Sequence, residues 1–194
     1  MICGMLSQKK IHSINDMSPL ADRYPVQNLN GPAKVFPSYA TYLFVAETLG
    51  DSKTLQVSNL YPGRQTNGSS ITTAMGDQSS GQLVAYGFWD VSNPSTPEFP
   101  TKLALLNLEI YNQTQTDSPR PSSTFDISGL LGNNTQVVRV RKLQAPGADV
   151  QDANVTSWAG QTFETGVARG KLVEDSIQGG KIIVQASEAV LVFL

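Results

Sequence analysis

Gln136-Val-Val-Arg-Val-Arg-Lys-Leu143 is the stretch whose reading decides the fold class. Val138 and Val140 point to one side of an extended chain, and Arg139 and Arg141 to the other, because strand side chains alternate. A half-buried β-strand is therefore expected. Leu103-Ala-Leu-Leu-Asn-Leu108 and Ala189-Val-Leu-Val-Phe-Leu194 are continuous apolar runs, the pattern of central strands covered on both faces. Outward from these, Leu55–Asn59, Ile71–Met75, Leu83–Trp89, Lys102–Tyr111, Gln136–Leu143, Lys181–Gln185 and Ala189–Leu194 read as strands set apart by Gly, Pro, Asn and Ser clusters. Gly179-Gly180 reads as a hairpin turn before the strand Lys181–Gln185. Asp117-Ser-Pro-Arg-Pro-Ser-Ser123 reads as a loop, since its prolines cannot sit in a central strand. Nothing alternates strand with helix after Gly50. The expected fold is mainly β, an antiparallel β-sandwich.

The first fifty residues differ in character. Pro19, Pro25 and Pro32 break Ile11–Asn30 into an irregular segment. Pro37 to Gly50 then reads as one helix, with proline suited to its first turn and glycine to the position just past its end. Tyr39, Tyr42, Leu43, Ala46 and Leu49 recur at three- and four-residue steps and define an apolar face, which Phe44 and Val45 widen. A helix apolar nearly all round is built to be buried against something large. The expected division is residues 1–50 as an irregular lead-in with a closing helix, and residues 51–194 as the sandwich.

Composition bounds the function. Of 194 residues 40% are hydrophobic and 15% charged, with a net charge of −2. That balance offers no basic footprint for nucleic acid and no cationic surface for anionic lipid. No apolar run reaches the roughly 20 residues of a membrane helix. Met1 to Leu6 is too short for the apolar region of a signal peptide, and Lys9-Lys10 lie on the wrong side of it. The single cysteine, Cys3, favours a reducing compartment. Four sequons, at Asn67, Asn112, Asn133 and Asn154, are candidate glycosylation sites and point the other way. The sequence alone leaves the compartment open. A secreted-looking composition without a secretion signal reads like the end of something longer.

Candidate chemistry is sparse. One histidine (His12) and one cysteine make no metal-ligand set, and neither a Gly-x-Ser-x-Gly elbow nor a phosphate-binding glycine loop is present. No cofactor is expected. Carboxylates at strand ends, Asp90, Glu109, Glu164 and Glu188, could form an acid–base pair only if the fold brought two to one cleft. Trp89 and Trp158 are candidate sugar-stacking rings, with core packing as the competing reading.

Three motifs in order carry a resemblance: Val140-Arg-Lys-Leu-Gln-Ala-Pro-Gly-Ala-Asp-Val150, Val155-Thr-Ser-Trp-Ala-Gly-Gln-Thr-Phe163 and Val184-Gln-Ala-Ser-Glu-Ala-Val-Leu-Val-Phe193. Together they resemble the C-terminal β-domain of glycoside hydrolase family 79, the β-glucuronidase and heparanase family. Phe36-Pro-Ser-Tyr-Ala-Thr-Tyr-Leu-Phe-Val-Ala-Glu-Thr-Leu-Gly50 is similar to that family's helix joining barrel to β-domain. The resemblance implies an extracellular parent enzyme and a partner, a catalytic (β/α)8 barrel carrying the two catalytic glutamates. A complete barrel needs about 250 residues, so residues 1–50 would match only its end. No catalytic residue carries over, and Glu47, in mid-helix, is no candidate. The expected function is a non-catalytic accessory domain; the alternative is a free-standing carbohydrate-binding module.

Overall fold

A computed structural model of the chain describes residues 26–27, 34–52, 54–60, 82–91, 99–115, 117–131 and 136–194. The expected strand Ile71–Met75, Cys3, His12, and the sequons at Asn67 and Asn133 lie outside the described residues. Among the described residues, eleven strands and one α-helix follow in order: β1 (Val26–Gln27), β2 (Lys34–Val35), α1 (Ser38–Leu49), β3 (Leu55–Asn59), β4 (Leu83–Asp90), β5 (Lys102–Asn107), β6 (Ser122–Asp126), β7 (Val137–Gln144), β8 (Ser157–Trp158), β9 (Asp175–Gln178), β10 (Lys181–Gln185) and β11 (Glu188–Phe193). Every described pairing is antiparallel.

The larger sheet runs β3-β4-β5-β11-β7, and the far edge of β7 is shared by β8 and β9. Strands β6 and β10 pair in a second sheet. The alternation read in the sequence now has a destination. Leu103, Leu105, Val138, Val140, Val190 and Val192 point inward and meet Phe125, Ile127, Ile182 and Val184 between the two sheets. Ala104, Ala189 and Leu191, one position out of step, meet Ala40 and Phe44 of α1 on the opposite face. The sheet is therefore covered by a second sheet on one side and by a helix on the other. That double cover is why β5 and β11 are apolar at consecutive positions.

The helix begins and ends where proline and glycine place it, with Gly50 N–H donating to Ala46 O at 2.8 Å. Its buried face differs from the expected one. Ala40, Phe44 and Thr48 are buried, whereas Tyr42, Ala46 and Leu49 are exposed. With apolar residues on nearly every side, periodicity cannot select the inner face; fit does. Ala40 lets the helix approach the sheet. Phe44 meets the edge of Trp158 at 5.3 Å and 83°. Thr48 Oγ1 donates to Phe44 O at 2.7 Å and so buries no unpaired hydroxyl.

Three further expectations shift. The strand expected over Lys102–Tyr111 stops at Asn107. That fully buried residue donates from Nδ2 to Val184 O and accepts from Glu109 N–H, which turns the chain away. Strand β6 starts at Ser122, inside the expected loop but directly after its last proline. Gly179-Gly180 does not close a hairpin, because β9 pairs with β7 while β10 pairs with β6. The turn carries the chain from one sheet to the other, and Ala186-Ser187 carries it back into β11. Glycine is required at the first crossing. Gly180 has φ +72°, and a Cβ there would stand 2.8 Å from Ser128 N.

Candidate functional site

A network of polar side chains joins α1 to the outer face of the larger sheet. Residue 47 lies one turn past Phe44 and faces the sheet beside it. Glu47 Oε2 accepts from Trp158 Nε1 at 2.9 Å, and Glu47 Oε1 pairs with Arg141. Arg141 also pairs with Glu174 at 2.9 Å, and Glu174 reaches Arg139 at 3.3 Å. Both guanidiniums stand 5.2–5.3 Å from the centre of the Phe193 ring, within cation–π range. Lys102 Nζ, from the next strand, donates to Glu47 O at 2.7 Å and Thr48 O at 3.1 Å. It caps carbonyls that the end of the helix leaves free. Burial pushes the Lys102 ammonium below the usual lysine range, against the pull of Glu47, Asp51 and Asp90. Each charge is matched by a partner, so the arrangement fastens a helix rather than receives an ion.

On its outer side the same helix presents Tyr42, Val45 and Leu49, exposed by 56%, 40% and 45%. Steps of three and four residues put them on one stripe.

The acids singled out in the sequence are dispersed. Glu188 is buried, with Oε1 accepting from Gln144 Nε2 and Oε2 from Gln185 N–H, both at 2.9 Å. It staples the second sheet-crossing turn, in which Ser187 takes φ +57°. Glu164 accepts from Thr162 Oγ1 and pairs with Arg169 at 3.3 Å. Hydrogen bonds to the Glu164 backbone and Thr162 hold its carboxyl below the usual glutamate range. Asp90 shares a hollow of about 440 Å³ with Asp51 and Lys102 at the C-terminal end of α1. Glu109 follows the end of β5, held by Asn107.

The two tryptophans separate. Trp158 is 5% exposed, with its ring against Phe44 and its N–H on Glu47, in the core position that competed with sugar stacking. Trp89 is half-buried, and its ring folds back over Gly87, where a Cβ would stand 2.7 Å from it. A second hollow of about 400 Å³, at the N-terminal end of α1, is lined by Ser38, Leu108, Ile110, Val150, Thr156 and Glu188 among others. Ser38 Oγ and Thr156 Oγ1 are buried there without a hydrogen-bond partner.

Glu47, no catalytic candidate by its place in mid-helix, is the centre of this structural junction. Its position three residues before the cap Gly50 and one turn from Phe44 was the available signal; its partners 94 and 111 residues away were not legible.

These features define a β-sandwich module with a helix fastened to one sheet and an apolar stripe turned outward. The model of the glycosyl hydrolase family 79 C-terminal beta domain matches residues 85–191, and the chain belongs to that family. No curated protein gives a match. Eleven chains of solved structures do. One is a crystal structure of a 4-O-α-L-rhamnosyl-β-D-glucuronidase from Fusarium oxysporum, in complex with Rha-GlcA. It is 32% identical over 61% of this chain, with a TM-score of 0.48. The chain spans 25% of the length of that structure.

Proposed function

We propose that the chain is a non-catalytic accessory module of a β-glucuronidase-type enzyme, whose task is to dock on a (β/α)8 barrel carrying the catalytic glutamates. The observation that carries this reading is the stripe of Tyr42, Val45 and Leu49 on the outer face of α1. Apolar side chains on one exposed helix face mark an interaction surface, and contacts from Trp158, Arg141 and Lys102 tie the helix that carries them to the sheet. Membership of a family defined as a C-terminal β-domain supports a partner domain of the same enzyme. The carboxylates add support, because Glu188 and Glu164 are committed to hydrogen bonds within the sandwich.

The test pairs the 194-residue chain with a separately produced family 79 barrel. Association is expected, and Tyr42→Ser with Leu49→Ser abolishes it while the far-UV spectrum stays unchanged. The chain alone gives no turnover of an aryl β-glucuronide. Turnover that tracks the purified chain, or binding indifferent to the stripe, overturns the reading.

A further inference from the structure

Two of the four sequons lie among the described residues, and the structure treats them differently. Asn154 is exposed in the turn between Asp152 and Val155. The residue two positions on, Thr156, is 6% exposed, and its Oγ1 is buried without a partner. Asn112 sits half-exposed in a loop closed by Gln115, whose side chain accepts from Asn112 N–H at 2.8 Å and whose N–H donates to Asn112 O at 2.9 Å. Its hydroxyl residue, Thr114, is exposed.

A buried, unpaired hydroxyl weakens a fold, and valine has nearly the same shape without that cost. A sequon can be read before folding or after it, and the burial of Thr156 against the exposure of Thr114 separates the two stages. We propose that Asn112 and Asn154 both accept N-linked oligosaccharide, Asn154 only on the unfolded chain and Asn112 on the folded chain as well. The donor is an oligosaccharide on a polyprenyl pyrophosphate. The asparagine Nδ2 attacks C1 of the reducing-end sugar, the C1–N bond forms and the C1–O bond to pyrophosphate breaks. Pyrophosphate leaves with the bonding pair, and an amide proton passes to a base of the transferase. The transferase must reach the hydroxyl two residues on, which folding seals at Thr156 and leaves open at Thr114. The attached sugar meets no packed side chain at Asn154, because that side chain already lies in solvent.

The whole chain, secreted from yeast behind a cleavable signal, is digested with peptide-N-glycanase in heavy-oxygen water, and its peptides are weighed. Label is expected at both asparagines. Thr156→Val removes it at Asn154 while leaving the deglycosylated protein at least as stable as the parent, and Thr156→Ser restores it. Given donor and transferase in vitro, the folded bacterial product is modified at Asn112 and not at Asn154; unfolding it in urea opens Asn154. No label at Asn154 in the secreted chain, or equal rates at the two sites in the folded chain, overturns the proposal.

Discussion

Replacing Glu47 with leucine removes the carboxylate at the junction of α1 with the sheet, and two partners lose it together. Trp158 Nε1 donates to it at 2.9 Å, and the residue is 5% exposed, so leucine leaves that donor with little access to another acceptor. A donor orphaned in such surroundings costs about 1–3 kcal/mol. Arg141 keeps Glu174 at 2.9 Å, and the lost pair lies near solvent, so it adds only about 0.5–1 kcal/mol. The expected destabilisation is about 2–4 kcal/mol, or a Tm lowered by about 5–15 °C for a chain of this size. Urea unfolding followed by far-UV circular dichroism measures it. Trp158→Phe keeps an aromatic ring beside Phe44 and deletes only the N–H, so a double-mutant cycle isolates the bond; a coupling of about 1–2 kcal/mol is expected. A Glu47→Leu variant within about 0.5 kcal/mol of the parent, or a coupling near zero, refutes the assignment of Glu47 as the fastening residue.

Arg120 donates to three backbone carbonyls, Ala186 O at 2.8 Å, Ala145 O at 2.9 Å and Ser187 O at 3.3 Å. Arg120→Lys keeps the charge but not the fork and should cost about 1–3 kcal/mol in urea unfolding; a neutral result removes its role as a loop tie. Gly180→Ala adds left-handed strain and a Cβ 2.8 Å from Ser128 N, whereas Gly179→Ala adds only strain, since nothing lies within 4 Å of it. About 2–3 kcal/mol is expected at the first and about 1–2 kcal/mol at the second; equal losses argue against the close approach. Hydrogen bonds from the Ser128 side chain and backbone lower the Asp126 carboxyl below its usual 3.8. A depressed folded value means stability that is present above pH 3.8 and is lost as pH falls through the folded pKa. Asp126→Asn should flatten the acid limb of the stability–pH curve, and an unchanged limb rejects this source.

Strand existence was legible wherever one face of the chain was uniformly apolar, as in Gln136–Leu143, or both were, as in Ala189–Leu194. Local chemistry also placed the helix ends, because Pro37 and Gly50 act within one turn. What stayed hidden depends on distant partners. Strand β9 (Asp175–Gln178) has no apolar alternation, and its pairing with β7 defines it. Strand β8 is two residues long and lies in a stretch that reads as polar turn. Gly179-Gly180 has the local chemistry of a hairpin, and only the separate partners of β9 and β10 make it a crossing. The candidate site divides in the same way. The acids were visible as residue types, but their commitment to Gln144, Gln185 and Thr162 belongs to the tertiary structure.

Helix α1 explains why sequence periodicity misassigned its inner face. A single-purpose surface helix has one apolar stripe and a polar remainder. This one buries Ala40 and Phe44 against the sheet and shows Tyr42, Val45 and Leu49 to the outside. A hydrophobic count over the whole helix therefore favours neither side. Glu47 and Lys102 break the tie. The glutamate fixes the rotation of the helix by pointing at Trp158 and Arg141. The lysine fixes its axial position by holding the carbonyls of Glu47 and Thr48. Turning the helix by one residue, about 100°, would carry Glu47 off both partners and bury part of the outer stripe. The orientation of the proposed docking surface is thus set by polar contacts on the opposite side of the same helix. Weakening Glu47 should impair docking without altering any residue of the stripe.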